Sequence, residues 1–150
     1  MRSWLKRTLI ATALLLLGIQ LVPVDRSNPK VEQSLTLYAS LPVPANVKTV
    51  FERSCNSCHS NETAWPWYSH VAPVSWVVAQ DVHQARSKMN FSEWGTYSAQ
   101  RQEDKLEEIC EQVTKGDMPD HKYAMFHREA RVTPPEREAV CQWTEDSRQY

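Results

Sequence analysis

Glycine is scarce in this chain, with 3 in 150 residues beside 9 Pro and 6 Trp. A β-rich fold with many tight turns needs more residues able to take positive φ, so the shortage points to helices joined by proline-stiffened loops. Net charge is almost absent too. The formal value of −1 leaves no basic surplus of the kind nucleic-acid binders carry, so nucleic acid is not expected as a partner. No acidic residue precedes Asp25, and no cysteine precedes Cys55, which excludes a lipoprotein processing site near the start. Internal repeats and low-complexity tracts are missing as well. What is present, 41% hydrophobic and 23% charged residues, suffices for one folded domain and argues against wholesale disorder.

The first uncharged run has a definite layout. Residues 8–24 (TLIATALLLLGIQLVPV) follow Arg2, Lys6 and Arg7. A basic flank ahead of an apolar run is the pattern of a signal peptide or of a single membrane anchor. Its length lies at the lower end of the roughly 17–25 residues that cross a bilayer. Leu16-Leu17-Gly18 fails the small-residue requirement of a cleavage site at its first position, so an uncleaved transmembrane helix is expected, with a cleaved signal as the alternative. The basic flank stays inside in both cases, which places the rest outside the cytoplasm: inner-membrane-anchored and facing the periplasm. The expected division is 1–24 anchor or signal, 25–44 Pro-punctuated linker, and 45–150 globular domain.

Within the domain the periodicity reads as all-α. Val47, Phe51 and Cys55 recur at helical spacing. A second helix is expected from Pro73 towards Lys88. A long one is expected over about 93–114, capped by Asn90 or Ser92, striped by Leu106, Ile109, Cys110 and Val113, and ended by Gly116. Thr133 with Glu136 forms a capping-box pattern, with Pro134 opening a last helix to about Arg148.

The chemistry is concentrated at residues 55–59, Cys-Asn-Ser-Cys-His. This is the C-x-x-C-H spacing of c-type haem attachment. Two thiols three residues apart can form thioethers with the two vinyl groups on one porphyrin edge, and the next residue is then placed to ligate iron. Cys55 and Cys58 are therefore the expected covalent anchors of one haem c, and His59 the proximal ligand. A redox-active C-x-x-C would leave His59 without a role. A zinc site wants four ligands and would have to recruit Cys110 and Cys141, which stand neither paired at short spacing nor followed by His.

A haem electron carrier often takes Met as its sixth ligand. Met118, in Lys-Gly-Asp-Met-Pro beyond a helix end, is the expected distal ligand, while Met89 and Met125 read as packing residues. His70, His83, His121 and His127 are rivals, and an open sixth position is a further one. Cys110 and Cys141 form a candidate disulfide for an exported chain. Trp65, Trp67, Tyr68 and Trp76 suggest a dry wall for a flat cofactor, and Arg53 and Arg86 are candidate partners for its propionates.

These residues resemble a family of small bacterial haem-binding domain proteins with an N-terminal membrane segment. The likeness is carried by IQLVPVDR (19–26) with Asn28-Pro29, by CNSCHSNETAWPWYSHVAPVSWVVAQDV (55–82), by Asn90-Phe91-Ser92-Glu93-Trp94, and by Gly116-Asp117-Met118-Pro119, Tyr123 and His127. Ala85 and Arg128 depart from the family's pattern, which has Gly and Pro there. The resemblance implies cytochrome-type redox work. The expectation is thus an all-α, cytochrome c-like haem domain on an N-terminal transmembrane helix, transferring single electrons. Its expected partners are the membrane, redox proteins and the cytochrome c maturation machinery. The alternative is a haem peroxidase or small-ligand sensor with an open sixth site and His121 or His127 as distal acid or base.

Overall fold

The structure is a computed structural model and describes residues 2–148. Every regular element among the described residues is helical, as the glycine shortage implied. Helix α1 (Arg2–Gly18) continues into a 3₁₀ turn at Ile19–Leu21. The stretch Ser3–Leu21, 19 residues of mean hydropathy 1.4 with no part buried, is long and apolar enough to cross a membrane. At 1.5 Å per residue it extends about 28 Å, close to the roughly 30 Å of a bilayer's hydrocarbon core.

The domain contains α2 (Leu37–Ser40), α3 (Ala45–Ser54), α4 (Asn56–His59), α5 (Val74–Lys88), α6 (Ala99–Lys115), α7 (His121–Phe126) and α8 (Pro134–Ser147). Helices α6 and α8 pack along each other and α3 packs on α8. Leu106, Ile109 and Val113 form the buried stripe of α6, and Val140 and Trp143 that of α8. Phe51 of α3 joins them, with ring centroids 5.3 Å from both Phe91 and Trp143. Burying a side chain such as Phe51 or Leu37 completely contributes about 1.5–3 kcal/mol.

Two expectations need correction. The long helix starts at Ala99, capped by Ser98, whose hydroxyl accepts from Arg101 N. Residues Phe91–Thr96 form a separate 3₁₀ helix instead, because the Asn90 side chain accepts from Ser92 N and starts its own turn. A Cβ on Gly95 would lie 3.2 Å from Leu35 Cα, so glycine permits this turn to press against the preceding segment. Gly116 ends α6 at φ 77°, the left-handed conformation expected of it.

Residues 25–44, expected as a linker, are part of the packed domain. Leu37 is fully buried in the core, Trp143 Nε1 donates to Pro42 O at 3.0 Å, and Tyr38 donates to Asn56 Oδ1 at 3.1 Å. Composition marked the segment as irregular; it could not show that irregular backbone was laid over the core. Asn28 donates to Thr63 O at 2.9 Å, and the carbonyl of Asp25 lies 3.1 Å from His83 Nε2.

Cys110 and Cys141 are joined as a disulfide between α6 and α8, with Cα atoms 4.7 Å apart and a sequence separation of 31. Closing a loop of that size removes about 3–4 kcal/mol of unfolded-state entropy in the chain-entropy view. Replacing both by Ala is expected to lower unfolding free energy by about that amount, read by guanidinium titration of the full chain. At the start of α8, Glu136 accepts from Thr133 N at 2.8 Å and from Arg53 Nη1 at 3.0 Å. These contacts, Arg53 first, hold its carboxyl at about 2 against an ordinary 4.5. Because the folded value is depressed, the stabilisation is present above pH 4.5 and is lost as pH falls towards 2. Glu136→Gln should flatten that part of the acid limb in a pH series of thermal melts.

Candidate functional site at the Cys55–His59 turn

The site begins where α3 stops. Cys55 leaves the helical backbone (φ −124°, ψ −43°) while its N–H still donates to Phe51 O at 2.9 Å. Its carbonyl accepts from Cys58 N at 3.1 Å and His59 N at 2.9 Å, which winds the single turn of α4. Cys55 thus ends one helix and starts the next. Cys55 and His59 both border a cavity of about 140 Å³ whose other walls include Phe51, Phe91, Ile109 and Met118. Ser54 lines it too, its buried hydroxyl without a hydrogen-bond partner among the described residues.

The His59 ring is buried, and its Nδ1 lies 3.1 Å from Met89 O. A carbonyl can only accept, so Nδ1 carries the proton and Nε2 keeps its lone pair. Burial lowers the imidazole pKa and favours this neutral form, against the backbone carbonyls of Met89 and Ala85 that raise it. A neutral His with one nitrogen tied to a carbonyl has the arrangement of a metal ligand whose ring is oriented from behind.

Cys55 and Cys58 are unbridged. Burial pushes the Cys55 thiol up to about 12 and the Cys58 thiol up to about 11, the second helped by Asp81 and Asp120. Both are neutral thiols in this fold. Cys58 does not border the cavity that Cys55 and His59 share.

Met118 borders the same cavity. After Gly116 the chain turns back on α6, and the N–H groups of Asp117 and Met118 both donate to Gln112 O, at 3.0 and 3.2 Å. Met118 and Val113 also border a second cavity of about 370 Å³, whose walls include His121, Met125 and Arg131. The structure therefore brings Cys55, His59 and Met118 together and leaves His121 on the far side of Met118. His127 is engaged elsewhere. Its Nε2 is 2.6 Å from Tyr68 Oη, its Nδ1 is 3.1 Å from Glu129 Oε1, and Tyr123 stacks on it at 4.4 Å. His70 is exposed and His83 pairs with Asp25. Met89 packs beside the core as expected, but Met125 is largely exposed.

Several sequence assignments change here. The aromatic wall of the cavity is Phe51 and Phe91, and the core Trp residues are Trp94 and Trp143. Trp67 is 78% exposed and Trp76 is 37% exposed, so the Trp65–Trp76 block is not the dry wall. Arg53 Nη1 and Nη2 donate to Glu136 and to Arg131 O, while its Nε is buried without a partner among the described residues. Arg86 spends its donors on four protein acceptors: Ser60 O at 2.8 Å, Ser27 O at 3.0 Å, and Asn28 Oδ1 and Thr63 Oγ1 at 2.8 Å each. Arg86 is thus committed to protein acceptors and is not free for a propionate. Sequence reading also missed a buried polar set behind the turn. Asn90 Nδ2 donates to Asn61 Oδ1 at 2.8 Å, and Asn61 N donates to Ser92 Oγ at 3.0 Å. The Asn90-x-Ser92 pair was visible as a capping signal; its second use, holding Asn61, was not.

An imidazole with a free Nε2 and a thioether beside a cavity with aromatic walls are groups that can ligate haem iron, so these residues fit a haem. A family model described as a haem-binding domain matches residues 14–146. No curated protein and no solved structure matches the chain.

Arg86 holds the exit of the turn to the segment that follows α1. A lysine keeps the charge but cannot span the four acceptors. Arg86→Lys is expected to lower stability by about 2 kcal/mol, with hydrogen-exchange protection lost at residues 27–28 and 60–63 of the full chain.

Proposed function

The chain belongs to the haem-binding domain family, and we propose that it holds one haem c covalently and passes single electrons between partner proteins outside the cytoplasm, anchored by α1. The observation that carries this reading is the meeting of His59 and Met118, far apart in sequence, on one cavity with Cys55.

In this reading Cys55 and Cys58 would form the thioethers, and His59 Nε2 and Met118 Sδ would ligate the iron. The bound haem supplies a one-electron iron couple whose potential a Met ligand raises. The protein's own part is positional. The Met89 carbonyl fixes the His59 ring, the Gln112 carbonyl fixes the Met118 loop, and Phe51 and Phe91 keep water away from the ring. Burial keeps both thiols neutral in this fold, and the two would supply the sulfur for thioether bonds to a haem attached by maturation machinery during export. The periplasmic placement rests on the basic flank of α1.

One observation favours a second reading. His121 borders the cavity on the other side of Met118. If Met118 is labile, an open sixth site would admit a small ligand, and His121, which borders the neighbouring cavity beside Met118, is the candidate acid or base of a peroxidase or sensor.

The optical spectrum of the full chain, produced with cytochrome maturation machinery, separates these readings. Haem is expected to stay with the protein through acid-acetone extraction and to show a low-spin spectrum with the weak far-red band of sulfur-ligated ferric iron. Met118→Ala should abolish that band and lower the potential. Retained haem that is high-spin in the unmodified chain and shifts with cyanide would favour the second reading. Extractable haem would overturn covalent attachment.

A further inference from the structure

The stretch from Thr63 to Gln80 contains no Asp, Glu, Lys or Arg. It would suit a core, yet its large apolar side chains face outward. Trp67 is 78% exposed, and Val71, Val74, Trp76 and Val77 are between 37% and 48% exposed. Only Ser75, Ala79 and Val82 form the buried stripe of α5. A concentration of exposed apolar side chains without intervening charge marks a surface meant for a non-aqueous neighbour.

The contacts of the stretch identify that neighbour. Gln20, next to the last residue of the membrane-length segment Ser3–Leu21, is bound to Ala72 in both directions. Ala72 N donates to Gln20 Oε1 at 2.9 Å, and Gln20 Nε2 donates to Ala72 O at 3.2 Å. Trp67, Val71, Val74, Trp76 and Val77 all lie within five residues of Ala72 along the chain. Arg26, bound to Ser69 O at 3.4 Å, and the Asp25–His83 contact hold the following segment to the same region. When α1 crosses the bilayer, its outer end and this apolar stretch therefore lie at one depth. Indole rings favour that depth, having an apolar body and a polar N–H.

We propose that residues 67–77 are seated in the headgroup layer of the membrane, so that the domain rests on the bilayer through this face instead of swinging on a tether. The inference rests on the anchor part of the reading above and is independent of haem.

A benzophenone-bearing amino acid placed at position 74 or 77 of the full chain, in phosphatidylcholine–phosphatidylglycerol nanodiscs, tests it. After irradiation, mass spectrometry reads phospholipid adducts. Position 15, within α1, is the reference for an inserted anchor, and position 100, exposed on α6, is the aqueous reference. Lipid adducts at 74 and 77 comparable to those at 15, and none at 100, are expected. Adducts at 15 with none at 74 or 77 would overturn the seating while leaving the anchor intact. Adducts to protein at 74 or 77 would overturn it in favour of a protein partner. No adduct even at 15 would remove the anchor and this inference with it.

Discussion

The guanidinium of Arg86 joins parts of this molecule that otherwise have little contact. It sits in the last turn of α5 and donates to Ser60 at the exit of the Cys55–His59 turn, to Thr63 beyond it, and to Ser27 and Asn28 behind α1. Burial pulls its pKa down from the usual arginine value, the electrostatic cost of placing a cation among loops. Four acceptors in fork geometry offset that cost. The membrane-length helix and the candidate haem site are thereby referred to one side chain.

On the other side of the turn the same problem is solved mostly by neutral groups. Irregular backbone after His59 has to satisfy its own polar groups. Asn61, Asn90 and Ser92 do this as a buried cluster, and Ser60 closes onto Asn56 O at 2.7 Å. Such a network fixes a conformation because leaving any member unpaired costs about 1–3 kcal/mol. His59 is consequently held at the end of α4 with its ring set by the Met89 carbonyl. Met118, on the same cavity, is held through its N–H by the carbonyl of Gln112 near the end of α6. Both candidate axial groups are thus positioned by backbone oxygens, which cannot be altered by changing a side chain.

The helix boundaries show where local signals suffice. Thr133-Pro134 with Glu136, and Gly116, act within one turn, so the start of α8 and the end of α6 were legible. The start of α6 was not, because Asn90 and Ser98 both carry capping side chains and only packing of Phe91 and Trp94 made the first a separate turn. The Trp-rich block was misassigned for a related reason. Apolar side chains declare a preference for leaving water, and a protein core and a membrane interface both satisfy it. Neighbours distinguish the two, and here the neighbour is the end of α1.

The sequence by itself determined the helical class, the membrane-length segment and the Cys55–His59 motif. Each of these follows from short spacing or from a single residue's conformational limits, which do not depend on distant partners. The tertiary structure decided that 25–44 is part of the domain, that Phe51 and Phe91 wall the cavity, that Arg53 and Arg86 are already engaged, and that Cys110 meets Cys141. These facts depend on which surfaces meet when α3, α6 and α8 bury a shared core. That meeting is set by packing summed over the whole chain and by no local pattern.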